Sequence, residues 1–139
     1  MKFFDILPSL AENELLKRGV MTDELLYCVK ADLDGDGCFI DVYITFTKQT
    51  LSVISGYEEY GKSKRGSKRK NLIAFTVSDY SEYALDDIDE MFVDRYTNSA
   101  RLMIRNKQGK EFPIARFSLG FADKFEKFSQ RVKLTAKDE

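Results

Sequence analysis

The chain has 139 residues, of which 43% are hydrophobic and 32% are charged, and its formal net charge is −1. This balance is typical of a soluble globular protein, and the length is sufficient for one domain with its own hydrophobic core. A net charge near zero argues against a dedicated nucleic-acid-binding protein, which usually has a basic excess. The longest apolar runs have the length of strands, so no segment is expected to span a bilayer.

Residues 1–22 are predicted to form a helical N-terminal extension. Ser9 and Glu12 fit a capping box at the start of a short helix over Leu10–Arg18. Gly19 is a natural stop for this helix in the left-handed conformation. We expect the helix to pack on the edge of the domain. The opening residues MKFFDILPSL do not have the pattern of a secretory signal.

Three antiparallel strands are predicted within Tyr27–Ser55, because turn residues separate runs in which apolar residues alternate. Placing the first turn at Asp34-Gly35-Asp36-Gly37 gives four mainly apolar pairs: Tyr27 with Ile44, Val29 with Val42, Ala31 with Ile40, and Leu33 with Cys38. A turn at Lys48-Gln49 sets Phe46 against Leu51 and Ile44 against Val53. These pairs share one apolar face, and the opposite face is expected to be rich in polar residues.

Four further strands are predicted after residue 70, at 71–78, 86–96, 100–106 and 110–117. In the last hairpin, Leu102 is expected to pair with Ile114, Ile104 with Phe112, and Arg105 with Glu111. Gly109 occupies the position of its turn that needs a left-handed residue. Pro113 cannot donate a ladder hydrogen bond, so it is expected at a sheet edge or a bulge.

A C-terminal amphipathic helix is predicted over residues 118–134, where the apolar period changes from 2 to about 3.6. Its apolar stripe comprises Phe121, Phe125, Phe128 and Val132, and Ser118 is the expected N-cap. Together the elements predict a single α+β domain over residues 1–139. Seven antiparallel strands in meander order with a terminal helix fit a pleckstrin-homology (PH)-like barrel or sandwich.

Two stretches that cover about half of the chain resemble a known family: YCVKADLDGDGCFIDVYITFT and YALDDIDEMFVDRYTNSARLMIRNKQGKEFPIARFSLGFADKFEKFSQRV. They resemble a cytoplasmic PH-like domain that precedes the membrane helices of ATP-binding-cassette exporters in some Gram-positive anaerobes. The second stretch also looks like the bacterial PH or GRAM pattern. The resemblance is to hydrophobic positions and turns, and the family offers no catalytic residues to carry over.

The resemblance implies a non-catalytic accessory or regulatory domain, located in the cytoplasm at the inner face of the plasma membrane. Its partners would be the transmembrane or ATPase modules of the exporter, and no cofactor is implied. The chain has no GxxxxGK[ST] motif of its own. The alternative is a free-standing adaptor that binds a peptide or an acidic protein. A reading frame that continues past Glu139 into apolar runs of about 20 residues would favour the exporter.

Residues 57–70 are predicted to form a flexible basic loop, which holds the main candidate binding residues: Lys62, Lys64, Arg65, Lys68, Arg69 and Lys70. Such a cluster can lie on an anionic membrane surface. It can equally contact RNA or an acidic protein patch, or remain a solvated loop without a partner. The basic cluster is outside the pattern of the family that the chain resembles.

The first hairpin turn matches the opening of an EF-hand calcium loop, with aspartates at positions 32, 34 and 36 followed by Gly37. The twelfth position, which should be glutamate, is Tyr43, and a strand follows instead of a helix. We therefore interpret this segment as a hairpin turn without a metal. The same aspartates oppose phosphoinositide binding, because only Lys30 in this hairpin is basic.

Catalysis is not expected. The chain has no histidine, which rules out a serine–histidine triad or a zinc site in its usual form. The acidic run Asp86, Asp87, Asp89 and Glu90 is interpreted as a solvated turn into a strand. Cys28 and Cys38 are expected on opposite faces of one hairpin, unpaired, with Cys38 in the core. Unbridged cysteines fit a reducing cytoplasm.

Overall fold

The computed structural model describes residues 4–61 and 71–137 as an α+β arrangement with seven antiparallel strands and a C-terminal helix, as predicted. No helix in this part of the chain is long and apolar enough to cross a membrane. The elements in chain order are α1 (Ser9–Lys17), β1 (Tyr27–Asp34), β2 (Phe39–Phe46), β3 (Thr50–Gly61), β4 (Asn71–Ala84), β5 (Ile88–Arg95), β6 (Ser99–Asn106), β7 (Glu111–Ser118) and α2 (Ala122–Lys137).

The sheet consists of two meanders, β1–β4 and β5–β7, in the order β4-β3-β2-β1-β7-β6-β5. Only two residue pairs join the meanders, Leu33 with Arg116 and Asp34 with Ala115. We call this junction between β1 and β7 the seam. The outer strands β4 and β5 do not pair with each other, so the sheet is open and is not closed into a barrel.

Helix α2 covers one face of the sheet. Phe125 and Phe128 are fully buried, Val132 is nearly so, and the ring of Phe125 stacks on Phe117 with centroids 3.8 Å apart. The predicted stripe is therefore confirmed at three of its four positions. Phe121 was placed wrongly, because residues 119–121 form a 3-10 turn that leaves its side chain 51% exposed.

The bounds of α2 also differ from the prediction of 118–134, since the helix begins at Ala122 and extends to Lys137. Ser118 makes no side-chain capping hydrogen bond. Ala122 is fully buried and completes the apolar stripe.

Helix α1 packs on the opposite face of the sheet and not on its edge as predicted. Its residues Ala11 and Leu15 are fully buried against an apolar cluster that includes Tyr43, Ile54 and Phe75. The expected polar-rich face is therefore partly an apolar core. This helix gives the domain a second core behind the sheet.

The predicted stop of α1 at Gly19 is confirmed, whereas the helix, Ser9–Lys17, lies one residue before the predicted Leu10–Arg18. Gly19 has φ of +85°, and the N–H groups of Gly19 and Val20 donate to the carbonyls of Leu16 and Leu15. This is the Schellman arrangement. The helix starts at Ser9, and no side-chain hydrogen bond caps it.

The predicted register of the first hairpin is wrong by two residues over most of its length. Val29 pairs with Ile44 and Ala31 with Val42, and near the turn Leu33 pairs with Phe39. A shift by two residues keeps every side chain on the same face of the sheet, so the apolar face contains the residues that were expected there.

Two local features account for the shift. The N–H of Asp34 donates to the Cys38 carbonyl, and the Asp34 carboxylate accepts the N–H groups of Asp36 and Cys38. These hydrogen bonds close the turn one residue later than predicted. An irregularity between Ala31 and Leu33 adds the second residue. Cys38 consequently lies at the turn and is exposed, contrary to its predicted place in the core.

Other predicted pairs are confirmed. Phe46 pairs with Leu51 and Ile44 with Val53 in β2–β3, and Ile104 pairs with Phe112 and Arg105 with Glu111 in β6–β7. Leu102 pairs with Ala115 and not with Ile114, because a bulge intervenes beside Pro113. Pro113 thus occupies a bulge as predicted, and Gly109 has φ of +83°.

The N-terminal residues cross from one face of the sheet to the other at the free edge of β1. Phe4 packs on Tyr27 and Phe128 on the α2 side, whereas α1 lies behind the sheet. At the crossing, Asp5 donates its N–H to the Cys28 carbonyl at 2.9 Å. Its carboxylate accepts the N–H of Lys30 at 2.7 Å. The chain thus occupies an edge of β1 along which β7 does not pair.

A substitution at Gly35 tests the close approach of the first turn to β7. A Cβ atom at this position would lie 2.5 Å from the carbonyl oxygen of Pro113, whereas a Cβ at Gly120 would meet no atom within 4 Å. We expect Gly35→Ala to lower the free energy of unfolding by ~1–3 kcal/mol in urea denaturation, and Gly120→Ala to change it by less than ~0.5 kcal/mol. Equal midpoints for the two variants would contradict this packing of the seam.

Candidate functional site

Strands β3 and β4 extend beyond the rest of the sheet as a two-stranded arm. Their pairing continues to Gly61 opposite Asn71, whereas β2 accompanies β3 only as far as Asp41 opposite Gly56. We call residues 57–61 and 71–76 the β3–β4 arm. The prediction of a loop over 57–70 is therefore wrong for residues 57–61, which belong to β3. Tyr57, Tyr60 and Ile73 are exposed on the arm.

The six predicted contact residues, Lys62, Lys64, Arg65, Lys68, Arg69 and Lys70, lie outside the described residues. In the sequence they follow Gly61 and precede Asn71, the last pair of the arm. They account for six of the 22 basic residues of the chain, so the remainder has 16 basic against 23 acidic residues. Charge is thus segregated along the sequence, with the positive excess confined to one connection.

A cluster of charged and phenolic groups lies at the base of the arm. The Glu58 side chain is only 2% exposed and accepts hydrogen bonds from the Tyr43 and Tyr60 hydroxyls. The Lys30 ammonium lies 3.4 Å from the carboxylates of both Glu58 and Asp41. Asp41 also accepts the N–H of Glu58 at 3.3 Å. These contacts tie β3 to β1 and β2 where the arm leaves the sheet.

The ionisation of this cluster follows from its contacts. Burial favours the neutral form of Glu58, but the hydrogen bonds from the two tyrosines and the attraction of Lys30 outweigh it, and the pKa of Glu58 falls below its ordinary value of 4.5. Burial also opposes the charge on Lys30, yet Glu58 and Asp41 raise its pKa overall. Burial and the hydrogen bond to Glu58 raise the pKa of Tyr43. The cluster is therefore a carboxylate–ammonium pair with neutral phenols at neutral pH.

A cleft of about 360 Å³ opens beside the seam, between β1 and the start of α2. We call it the seam cleft. Its apolar lining comprises Ala31, Leu33, Phe39, Phe117, Phe121 and Phe125. Phe39 and Phe121 are 85% and 51% exposed, whereas Phe117 and Phe125 are buried. The cleft therefore has an apolar floor between two exposed aromatic rings.

Charged groups also line the seam cleft. The Lys124 ammonium lies 2.8 Å from the Asp5 carboxylate and about 5 Å from the ring centres of Phe121 and Phe125. Lys30, which belongs to the Glu58 cluster, also lines the cleft, and so does Asp32, which is exposed on β1. Both ammonium groups are therefore already paired with carboxylates.

The acidic run lies partly in a second cleft of about 430 Å³ between β5 and α2. Asp89 and Glu90 bind the Arg105 guanidinium, and Glu90 also pairs with Lys133 at 3.3 Å. Asp86 and Asp87 belong to a 3-10 turn. Ion pairs thus hold Asp89 and Glu90 in place, and the acidic run is a turn that leads into β5.

The segment that matches an EF-hand opening is a hairpin turn, as interpreted from the sequence. The Asp34 carboxylate accepts two N–H groups of that turn. Within residues 4–61 and 71–137, no group of three or more histidine, cysteine, aspartate or glutamate side chains is arranged to hold a metal. Lys30, the one basic residue of the hairpin, is paired with carboxylates and is not free for a phosphate.

The cysteines are unpaired, as expected. Cys28 is buried behind the sheet, where desolvation, with a smaller contribution from Asp5, raises the pKa of its thiol to about 12. A thiol with this pKa stays protonated at neutral pH and is a poor nucleophile.

Sequence analysis missed both the Glu58 cluster and the seam cleft. A signal for the cleft was present, because Phe39 is a large aromatic residue on the strand face that the hairpin register makes polar. The same register sets Lys30 against Asp41, which are two members of the Glu58 cluster. Glu58 and Tyr60 could not be added to them, because they fall in the predicted loop over 57–70.

No family model, no curated protein and no solved structure matches the chain.

A substitution at Glu58 tests the cluster. Glu58→Gln removes the charge that pairs with Lys30 and an acceptor for buried hydroxyls, so the free energy of unfolding should fall by ~1–3 kcal/mol at pH 7. Because the pKa of Glu58 is lower in the folded state, its contribution is complete above pH 4.5 and is lost as the pH falls below that value. Urea denaturation from pH 7 to pH 3 should therefore show a smaller acid-induced loss for the variant than for the wild type.

The neighbouring exposed residue provides the control. Glu59→Gln should leave the unfolding free energy and its pH dependence close to those of the wild type, within ~0.5 kcal/mol. If Glu58→Gln and Glu59→Gln behave alike, the cluster does not stabilise the base of the arm.

Proposed function

We propose that this chain is a non-catalytic, PH-like docking domain that lies against the anionic inner face of a membrane through its β3–β4 arm. In this proposal it is an accessory or regulatory domain of an ATP-binding-cassette exporter. The observation that carries the proposal is the projection of the arm beyond the sheet, directly before and after the basic residues 62–70. The transmembrane and ATPase modules of the exporter are the proposed partners in the cytoplasm.

The side chains of the arm support membrane contact. Tyr57 and Tyr60 are exposed, and tyrosine is enriched where proteins meet the membrane–water interface. Ile73, on the paired strand, adds an exposed apolar side chain. Basic residues near an anionic surface contribute about 1 kcal/mol each. The arm and its basic connection thus combine two kinds of group that favour the interface.

The charge of the remaining chain supports a defined orientation. Outside residues 62–70, acidic residues outnumber basic ones by 23 to 16. An anionic surface attracts the basic connection and repels the rest of the domain over a distance of about 10 Å. The domain would therefore meet a membrane with its arm first, and the Glu58 cluster would hold the arm in a fixed direction.

Part of the architecture supports the PH-like proposal. Two antiparallel meanders of four and three strands, with a helix packed across one face, share the strand number and terminal helix of the proposed family, whereas the open sheet departs from a closed barrel. The polar clusters of the described residues are ion pairs and turns, which supports a docking role over a catalytic one. The second candidate function is a free-standing adaptor for a peptide or an acidic protein, and the seam cleft favours the peptide.

Binding to lipid vesicles tests the proposed membrane contact. The full chain should co-sediment with phosphatidylcholine vesicles that contain phosphatidylglycerol and not with phosphatidylcholine alone. Replacing Lys68, Arg69 and Lys70 by glutamine removes three basic residues, so the partition coefficient should fall roughly 100-fold. Added salt should weaken the binding of the wild type, because the attraction is screened.

The matched control removes the same charge elsewhere. Glutamine at Lys48, Lys107 and Lys110, three exposed residues of other turns, should reduce binding far less. If both triple variants lose binding equally, net charge and not the basic connection determines the contact. If the wild type does not bind the anionic vesicles, the membrane proposal is wrong and the adaptor becomes the better candidate.

A further inference from the structure

The N-terminal chain already bonds the edge of β1 that faces away from β2. Asp5 donates its N–H to the Cys28 carbonyl, and its carboxylate accepts the Lys30 N–H. Main-chain groups of a strand alternate in direction, so those of Cys28 and Lys30 both face this side. Beyond Lys30, the pairing of β1 with β2 is irregular between Ala31 and Leu33. Strand β7 pairs with β1 at Leu33 and Asp34, beyond the residues that Asp5 bonds. The edge between Asp5 and the seam faces the seam cleft.

The seam cleft offers an apolar site along that edge. Its floor is the stacked pair Phe117 and Phe125, and its sides are Phe39 and Phe121. Two exposed phenylalanines beside a concave apolar floor are typical of an interaction site, since such rings gain most from contact with another apolar group. A volume of about 360 Å³ accommodates one or two bulky side chains.

The charges around the cleft favour a basic partner. The two ammonium groups are compensated, Lys30 by Glu58 and Asp41 and Lys124 by Asp5. The carboxylate of Asp32, which lines the cleft, forms no ion pair with any residue that the structure describes. This uncompensated negative charge complements a lysine or arginine in a ligand.

We propose that the seam cleft binds an extended peptide segment of a partner protein, with a bulky apolar residue next to a basic residue. The segment continues the edge of β1 from Asp5 toward the seam. Its apolar side chain lies between Phe39 and Phe121, and its basic residue faces Asp32. This mode of binding is strand addition, in which main-chain hydrogen bonds give affinity and side-chain pockets give specificity. The site is separate from the arm and requires neither a membrane nor an exporter.

Selection from a phage-displayed library of random linear peptides on the full chain tests this proposal. The selected peptides should share a bulky apolar residue next to a lysine or arginine. A synthetic peptide of the common sequence should bind the Phe39→Ala/Phe121→Ala variant at least tenfold more weakly than the wild type in fluorescence anisotropy. Asp32→Asn should weaken binding less and reduce its dependence on salt.

The controls separate this site from the rest of the surface. Ile73→Ala/Leu134→Ala also removes two exposed apolar side chains, 58% and 56% exposed, and should bind the peptide like the wild type. The variant with glutamine at residues 68–70 should also bind normally, so a failure of the membrane proposal leaves this test intact. The proposal is overturned if no common sequence emerges, if the common sequence is acidic, or if the two apolar double variants bind equally.

Discussion

The two residue pairs of the seam are the constraint on which the rest of the structure depends. Among the residues that the structure describes, the two meanders are joined by two ladder pairs, Leu33 with Arg116 and Asp34 with Ala115. Arg116 adds a hydrogen bond to the Gly35 carbonyl at 3.1 Å. With so short a junction, most of β1 is left without a strand on one side. The N-terminal chain crosses the sheet there, and the aromatic cleft opens beside it. Helix α2 spans the junction, because its buried phenylalanines pack on residues of both meanders.

The same architecture separates two surfaces with different chemistry. The β3–β4 arm carries exposed tyrosines beside the basic connection and is held at its base by the buried carboxylate of Glu58. A buried ion pair contributes little net stability, but removing one partner is costly, so such a pair defines a geometry. The seam cleft is apolar, includes the unpaired carboxylate of Asp32, and lies at the other side of β2.

The sequence predicted those features that local rules determine. Gly19 and Gly109 have the expected left-handed conformations, Pro113 lies at a bulge, and the α2 stripe is right wherever the helix is continuous. The errors arise where the structure is determined by single hydrogen bonds and bulges, or by contacts between residues that are far apart in sequence. Hydrogen bonds of one side chain, Asp34, and a single bulge shifted the first hairpin by two residues. The apolar side of α1 was evident, but its partners Tyr43, Ile54 and Phe75 come from three different strands, which no local pattern could identify.

Amide hydrogen exchange at Lys30 tests the central claim, that Asp5 and not β7 completes this edge of β1. In the wild type, the Lys30 N–H donates to the Asp5 carboxylate, whereas the N–H groups of Val29 and Ala31 point toward β2. The account predicts that Asp5→Ala accelerates exchange at Lys30 by more than about tenfold and leaves Val29 and Ala31 unchanged. Unchanged protection at Lys30 in that variant would mean that β1 pairs with β7 along its length, and the seam cleft could not exist as described.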